Sequence, residues 1–132
     1  MVFQQNIYIQ FKVADFERSQ EFYDAVLGEL GISRCVNQEA EGIREAEYGQ
    51  DGDKSRKVLE ILESPESSGF PRYPTHTVTF STESRNAVDT FYATALAKGA
   101  TTKQEPCLQN NSYFATVLDL DGHEIMAAYT ER

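Results

Sequence analysis

The sequence predicts an α+β fold made of two βαβββ modules in tandem. The dipeptide Phe22-Tyr23, which opens one apolar helical stripe, returns as Phe91-Tyr92 at the start of another, 69 positions later (residue 91 minus residue 22). In each copy, one alternating strand precedes the stripe and three extended stretches follow it. One copy cannot bury its own apolar faces, so the two copies are expected to associate and leave a cleft between them.

Module one spans about residues 1–64. Its first strand, at 7–13, alternates apolar and polar residues and therefore has one apolar face. Asp15 or Ser19 can cap the following helix, whose apolar residues recur at a spacing of three and four until glycines end it. Further extended stretches are predicted at 33–36, 44–48 and 57–62.

Residues 65–74 are rich in proline and serine and are interpreted as the linker between the modules. Module two, residues 75–132, repeats the order of elements, and the two modules together form one domain, 1–132. A strand at 75–81 precedes a helix from about 84 to 98. Extended stretches follow near 101–105, 113–118 and 124–129, with a turn at 119–122 before the last of them.

The composition of the chain argues against several classes of partner. The chain has 132 residues and a formal net charge of −9, from 21 acidic and 12 basic side chains. This charge repels phosphate backbones and anionic lipid surfaces, so we expect neither nucleic acid nor a membrane as a partner. No run approaches the roughly 20 apolar residues of a membrane span, and no secretory leader is recognisable, which indicates a cytoplasmic protein. Cys35 and Cys107 are interpreted as free thiols.

Three motifs carry a family resemblance. They are V-A-D-F-E-R-S-x-x-F-Y from residue 13, V-T-F-S-x-x-S-R-x-A-V-D-x-F from residue 78, and D-x-D-G-H-x-I from residue 119. Together they resemble the vicinal oxygen chelate superfamily, which contains glyoxalase I, bleomycin-resistance proteins, fosfomycin-resistance enzymes and extradiol dioxygenases. The resemblance implies that each module curls a mixed sheet around a shared cavity, with the helices outside.

The resemblance also implies a metal site, which this chain does not reproduce. Members of the family usually hold a divalent ion with a His on the first strand of each module and a Glu on the last strand. By position these ligands fall on Tyr8, Thr77 and Met126, and Glu60 matches a carboxylate that some members add. Two hydroxyls and a thioether are poor ligands for such an ion, and one carboxylate binds it weakly. We therefore expect no metal cofactor.

Eight residues are predicted to face the cavity and contact a ligand: Tyr8, Gln10, Lys12, Glu60, Thr77, Thr79, Tyr113 and Met126. Sealing Lys12 and Glu60 away from water would cost several kcal/mol per ion unless they are paired, so an open cleft is favoured over a filled core. Tyr8 and Tyr113 would stack on a planar ligand, and Lys12 would attract a carboxylate. Alternatively, Lys12 only forms a salt bridge with Glu60.

The remaining polar residues have plainer interpretations. His76 is adjacent to a ligand position and should point away from the cavity unless a β-bulge turns it inward. His123 lies in the turn before the last strand and is predicted to face solvent. Glu45 and Glu47 are interpreted as part of a solvated strand face.

The leading functional hypothesis is a metal-free cavity that binds a small organic molecule, in a homodimer such as chains of this length in the family commonly form. One alternative is an enzyme: a divergent lactoylglutathione-lyase-like lyase, a dioxygenase-like enzyme, or a metal-free isomerase with Glu60 or Tyr8 as proton carrier. Glu60 is the candidate catalytic residue. A further alternative is a structural or regulatory protein whose cavity is filled by its own side chains.

Overall fold

Two four-stranded mixed sheets, each with one helix, build the molecule. The structure, a computed structural model, describes residues 9–64 and 77–131. Tyr8, His76 and the predicted linker 65–74 lie outside the described residues. Within the described part of the chain, no helix is long and apolar enough to cross a bilayer.

Module one contains strands β1 (Ile9–Val13), β2 (Ile32–Ala40), β3 (Ile43–Gln50) and β4 (Lys57–Glu63), helix α1 (Phe16–Gly28), and a short 3₁₀ helix (Lys54–Arg56) that the sequence did not predict. The strand order is β1-β4-β3-β2. Strand β1 runs parallel to β4, and the other pairs are antiparallel. Of the two predicted caps, Asp15 begins α1, since its side chain accepts a hydrogen bond from the backbone N–H of Arg18 at 3.2 Å.

Module two repeats this topology with β5 (Thr77–Ser81), α2 (Arg85–Ala97), β6 (Thr101–Gln109), β7 (Ser112–Leu118) and β8 (Glu124–Thr130), in the order β5-β8-β7-β6. The predicted tandem α+β fold is therefore confirmed. The repeat extends to the register: Gln10 pairs with Glu60 in module one, and Thr79 pairs with Met126 in module two. Glu60 and Met126 thus occupy equivalent positions in the two sheets.

The core lies between each helix and one face of its sheet. Helix α1 packs its apolar stripe on β3 and β4, and α2 packs on β7 and β8; the fully buried side chains include Phe22, Tyr23, Leu27, Leu59 and Ile61 in module one, and Phe91, Val117 and Ile125 in module two. Since successive strand residues point to opposite faces, the helix-free face of each sheet carries the alternate residues.

The modules meet where the turn between β7 and β8 packs on β1. The His123 ring stacks on Phe11, with 4.1 Å between ring centroids and 6° between the planes. Its Nε2 lies 3.0 Å from the carbonyl oxygen of Lys12. The prediction that His123 faces solvent is therefore wrong, because the ring is held between the modules.

Candidate functional site

The helix-free faces of the two sheets carry most of the predicted ligand-contacting residues. On module one, Gln10 and Lys12 are exposed, and Glu60 lies beside Gln10. On module two, Thr77 and Thr79 are exposed, and Met126 lies half-buried beside Thr79. The register thus places the described members of the predicted set on these faces, with one exception.

Tyr113 is the exception, because it lies on the helix side of its sheet. Its hydroxyl donates to Asp89 Oδ1 on α2 at 2.6 Å, and the guanidinium of Arg85 lies 5.1 Å from its ring centroid. In the register of β7 and β8, Thr116 pairs with Met126, so side chains an odd number of positions from Thr116 point to the other face. The prediction that Tyr113 faces the cavity is wrong, and Phe114 has the parity of the cavity face instead.

An ion-paired acidic cluster occupies the centre of the module one face. Carboxylate oxygens of Glu45, Glu47 and Glu60 lie within 4.8 Å of one another. The ammonium of Lys57 is 3.4 Å from Glu47 Oε1 and 3.4 Å from Glu60 Oε2. Lys57, and not Lys12, therefore forms the salt bridge with Glu60, which corrects the alternative raised from the sequence.

The electrostatic state of Glu60 follows from this packing. Its side chain is only 6% exposed, and burial raises the pKa of the Glu60 carboxyl, with a hydrogen bond to Glu45 adding to the rise and Lys57 opposing it. A carboxyl group that binds its proton more tightly than usual can exchange a proton with a ligand. This position is therefore chemically distinct from an ordinary surface glutamate.

The module two face has a different chemistry. Thr77 Oγ1 donates to Glu124 Oε2 at 2.6 Å, and Lys103 forms an ion pair with the same carboxylate. Lys103 and then Thr77 lower the pKa of Glu124, so this carboxylate stays ionised. Met126, at the position equivalent to Glu60, contributes a thioether. At this one position, module two therefore offers an uncharged donor where module one offers a carboxylate, although both faces carry an ion pair.

Sequence reasoning missed four of these side chains. Glu45 and Glu47 were interpreted as solvated, yet both are half-buried and face Glu60 across the β3–β4 ladder. Their spacing of two along one strand was the available signal, because it places them on the same face as each other. Glu124 had the same signal, because it lies two positions before Met126 on β8. Lys57 had none, since a β-bulge at the Tyr48/Gly49 step shifts the register beside it.

Comparison with known proteins agrees with this architecture. The sequence profile of the Glyoxalase/Bleomycin resistance protein/Dioxygenase superfamily matches residues 7–127. The chain belongs to this superfamily. No match was found among curated protein sequences.

Solved structures of superfamily members resemble the chain over most of its length. A glyoxalase/bleomycin resistance protein from Albidiferax ferrireducens T118 is 27% identical, with a TM-score of 0.74 over 94% of this chain and 97% of that one. A glyoxylase/bleomycin resistance protein/dioxygenase domain from Frankia sp. EAN1pec is 15% identical, with a TM-score of 0.75 over 98% and 100%. Glyoxalase I from Zea mays is 17% identical, with a TM-score of 0.74 over 91% of this chain and 44% of that one. The latter two likenesses show the fold alone.

The metal that the superfamily implies does not fit the residues at the ligand positions of this member. The hydroxyl of Thr77 is already bonded to Glu124, and the Met126 thioether is a soft donor that suits neither hard nor borderline divalent ions. Glu60 is the one described carboxylate at these positions, and the Lys57 ammonium already contacts it. The donor set is therefore unsuited to the superfamily's divalent ion.

Proposed function

We propose that this superfamily member is a small-molecule-binding protein whose cavity works without a metal ion. The observation that carries the proposal is the ion pair of Glu60 with Lys57, at 3.4 Å, combined with a threonine and a methionine at the other described ligand positions. A tethered ammonium already supplies the positive charge that a bound cation would bring.

The ligand in this proposal is a small organic molecule held between the two helix-free faces. Gln10, Thr77 and Thr79 are exposed and provide hydrogen-bonding groups. Lys12 has the charge to receive a carboxylate, and Met126 offers apolar contact. Such a combination of a few polar groups with apolar surface is typical of small-molecule sites.

We also propose that the protein forms a homodimer. Ile43, at the start of β3, and Leu108, near the end of β6, are large apolar side chains that are 44% and 52% exposed. Both lie at the ends of β-hairpins, where a second copy can cover them. Size-exclusion chromatography with light scattering tests this, and a monomer at micromolar concentration would contradict it.

Metal titration tests the metal-free cavity. A ligand that binds only the native state raises the thermal midpoint, so addition of Ni²⁺, Zn²⁺ or Mn²⁺ to the purified protein should leave the midpoint unchanged. A stoichiometric metal in the purified protein, or a midpoint raised by any of these ions, would contradict the proposal.

A gain-of-metal variant serves as the matched control. Thr77→His combined with Met126→Glu places an imidazole and a carboxylate at two of the superfamily's ligand positions; if these positions converge with Glu60, this variant should bind Zn²⁺ or Ni²⁺ and gain thermal stability. Failure of the variant to bind either ion would show that these positions do not converge, and would overturn the shared cavity.

A second candidate function, proton transfer by Glu60, is favoured by the raised pKa of that buried carboxyl. Glyoxalase I activity can be assayed for the wild type and for Glu60→Gln. Turnover that is lost in Glu60→Gln but kept in Glu63→Gln, which changes a carboxylate of lowered pKa on the same strand, would favour the enzyme. Turnover absent from the wild type, or equal in the wild type and Glu60→Gln, would exclude Glu60 from that reaction.

A further inference from the structure

The turn between β7 and β8, residues 119–123, fastens module two to module one; we call it the 119–123 turn. The hydroxyl of Tyr23 on α1 donates a hydrogen bond to Asp119 Oδ2. The other carboxylate oxygen of Asp119 accepts the backbone N–H groups of Asp121, at 2.9 Å, and of His123, at 2.8 Å. One buried carboxylate therefore shapes the turn and binds the opposite module.

The same turn contacts the edge of the sheet in module one. Among the described residues, strand β1 is an edge strand of this sheet and pairs with β4 on one side only. On its other side, the backbone N–H of Ala14 donates to Asp121 Oδ1 at 3.0 Å, and the Lys12 carbonyl lies 3.0 Å from His123 Nε2. A carbonyl can only accept, so Nε2 carries the proton in this contact. The turn thus forms hydrogen bonds with the backbone N–H of Ala14 and the carbonyl of Lys12, which a neighbouring strand or water would otherwise have to satisfy.

In the part of the chain that the structure describes, the contact made by the 119–123 turn has no equivalent at the related turn of module one, although the modules are repeats. Tyr92 is the repeat equivalent of Tyr23, and its hydroxyl shares a hydrogen bond of 2.8 Å with Thr102 Oγ1 inside module two. Where the corresponding turn of module one approaches module two, a cleft of about 460 Å³ separates Asp51 from Glu83. The turn of module two therefore contacts the edge of module one at β1, whereas the equivalent turn of module one is separated from module two by this cleft.

We propose that the 119–123 turn is a latch that holds β1 in position for ligand binding, so that Asp119 and His123 are positioning residues of the candidate site. Gln10 and Lys12 are on β1 and face the proposed ligand. A shift of β1 away from β4 moves both side chains together. The importance for ligand binding rests on the proposed function, whereas the coupling of the turn to β1 does not.

The latch should respond to pH through Asp119. The groups that act on this carboxyl are the His123 ring, the Tyr23 hydroxyl from α1, and the backbone N–H groups of His123 and Asp121 within the turn; the Asp121 carboxylate acts on Tyr23. Burial raises the pKa of Asp119. Since its pKa is higher in the latched state than in solvent, protonation tightens the latch, and the latch loosens as pH rises through the raised pKa.

Amide hydrogen exchange of the ligand-free, full-length protein tests the proposal. Loss of one hydrogen bond of about 1 kcal/mol corresponds to about fivefold faster exchange. We expect Tyr23→Phe and His123→Phe each to accelerate exchange of the β1 amides by about this factor, with β3 unchanged. Tyr92→Phe, the repeat-matched control, should leave β1 unchanged. Equal acceleration in Tyr92→Phe, or equal acceleration of β1 and β3, would overturn the latch.

The pH arm uses protection factors, which remove the intrinsic pH dependence of exchange. Asp119→Asn should abolish the decline of β1 protection with rising pH, because the amide remains neutral. Glu60→Gln is the control. Glu60 is on β4, pairs with Gln10 of β1, and also has a raised pKa. A decline that persists in Asp119→Asn and disappears in Glu60→Gln would assign the effect to Glu60 and remove Asp119 from the proposal. A stoichiometric metal in the purified protein would refute the proposed function and leave these exchange results standing.

Discussion

Replacement of Lys57 by methionine tests how the acidic cluster on module one is balanced. The Lys57 ammonium lies 3.4 Å from a carboxylate oxygen of both Glu47 and Glu60, and its side chain is 15% exposed. Methionine retains much of the aliphatic stem but removes the charge, leaving three carboxylates within 4.8 Å of one another. Removal of one partner from a buried ion pair typically costs about 3–5 kcal/mol, and we expect Lys57→Met to lose about that much at neutral pH.

The loss should depend on pH, with a sign fixed by Glu60. Burial raises the pKa of Glu60 above its unfolded value, and Lys57 opposes that rise. Protonation of Glu60 therefore favours the folded state, and this contribution disappears as pH rises through the raised pKa. Without Lys57 the pKa rises further. The difference between wild type and Lys57→Met should consequently be small at about pH 4 and complete at about pH 8.

Urea denaturation at these two pH values measures the effect, with Lys103→Met as the matched control. Lys103 also forms an ion pair, with Glu124, but its side chain is 49% exposed. Glu124 is 13% exposed, but the ammonium of Lys103 reaches solvent and the pair is screened, so we expect Lys103→Met to cost about 1 kcal/mol or less. If Lys57→Met cost no more than Lys103→Met, or cost the same at both pH values, the cluster would be solvated and the reasoning on its charge balance would fail.

Two further predictions concern the backbone and the module two face. Gly49→Ala should destabilise the fold by about 1–3 kcal/mol, because its Cβ would lie 2.3 Å from the carbonyl oxygen of Asp53, whereas Gly28 has no atom within 4 Å of such a Cβ. Gly28→Ala should therefore be neutral or stabilising by up to about 1 kcal/mol; equal midpoints for the two variants would contradict this. Thr77→Val removes the 2.6 Å hydrogen bond to Glu124 and should cost about 1 kcal/mol in urea unfolding, and an unchanged midpoint would show that water replaces the bond.

The fold could be predicted from the sequence because the hydrophobic periodicity indicated the same order of strands and helix in both copies of the repeat. The ends of β2 and β6 could not be predicted in this way, since both strands extend beyond the predicted stretches into residues that are mostly exposed. An exposed strand end lacks the alternation of buried and exposed residues that marks a half-buried strand. Pairing with β3 and β7 in hairpins defines these ends instead.

The site was harder to predict from the sequence than the fold. It depends on which face of a strand each residue points to, and on long side chains that reach distant partners. Tyr113 and Phe114 are adjacent aromatic residues, so composition gives no reason to choose which of them faces the cavity. The β7–β8 register decides it. Lys57 reaches Glu47 and Glu60 from beside a bulge, and the turn at His123 meets Lys12 from a position 111 residues away. Such contacts depend on tertiary geometry that a sequence pattern does not contain.

The repeat-equivalent pair Glu60 and Met126 explains why we favour recognition without a metal. An ion entering at Glu60 must compete with an ammonium that is attached to the same strand and already 3.4 Å from the carboxylate. Displacing that ammonium leaves a half-buried cation to be resolvated, and at the equivalent ligand position of module two Met126 provides only a weak, soft donor. Both effects oppose coordination. Hydrogen bonds from Gln10 and Thr79 and apolar contact with Met126 do not require the Lys57 ammonium to be displaced, and they are what the two faces provide.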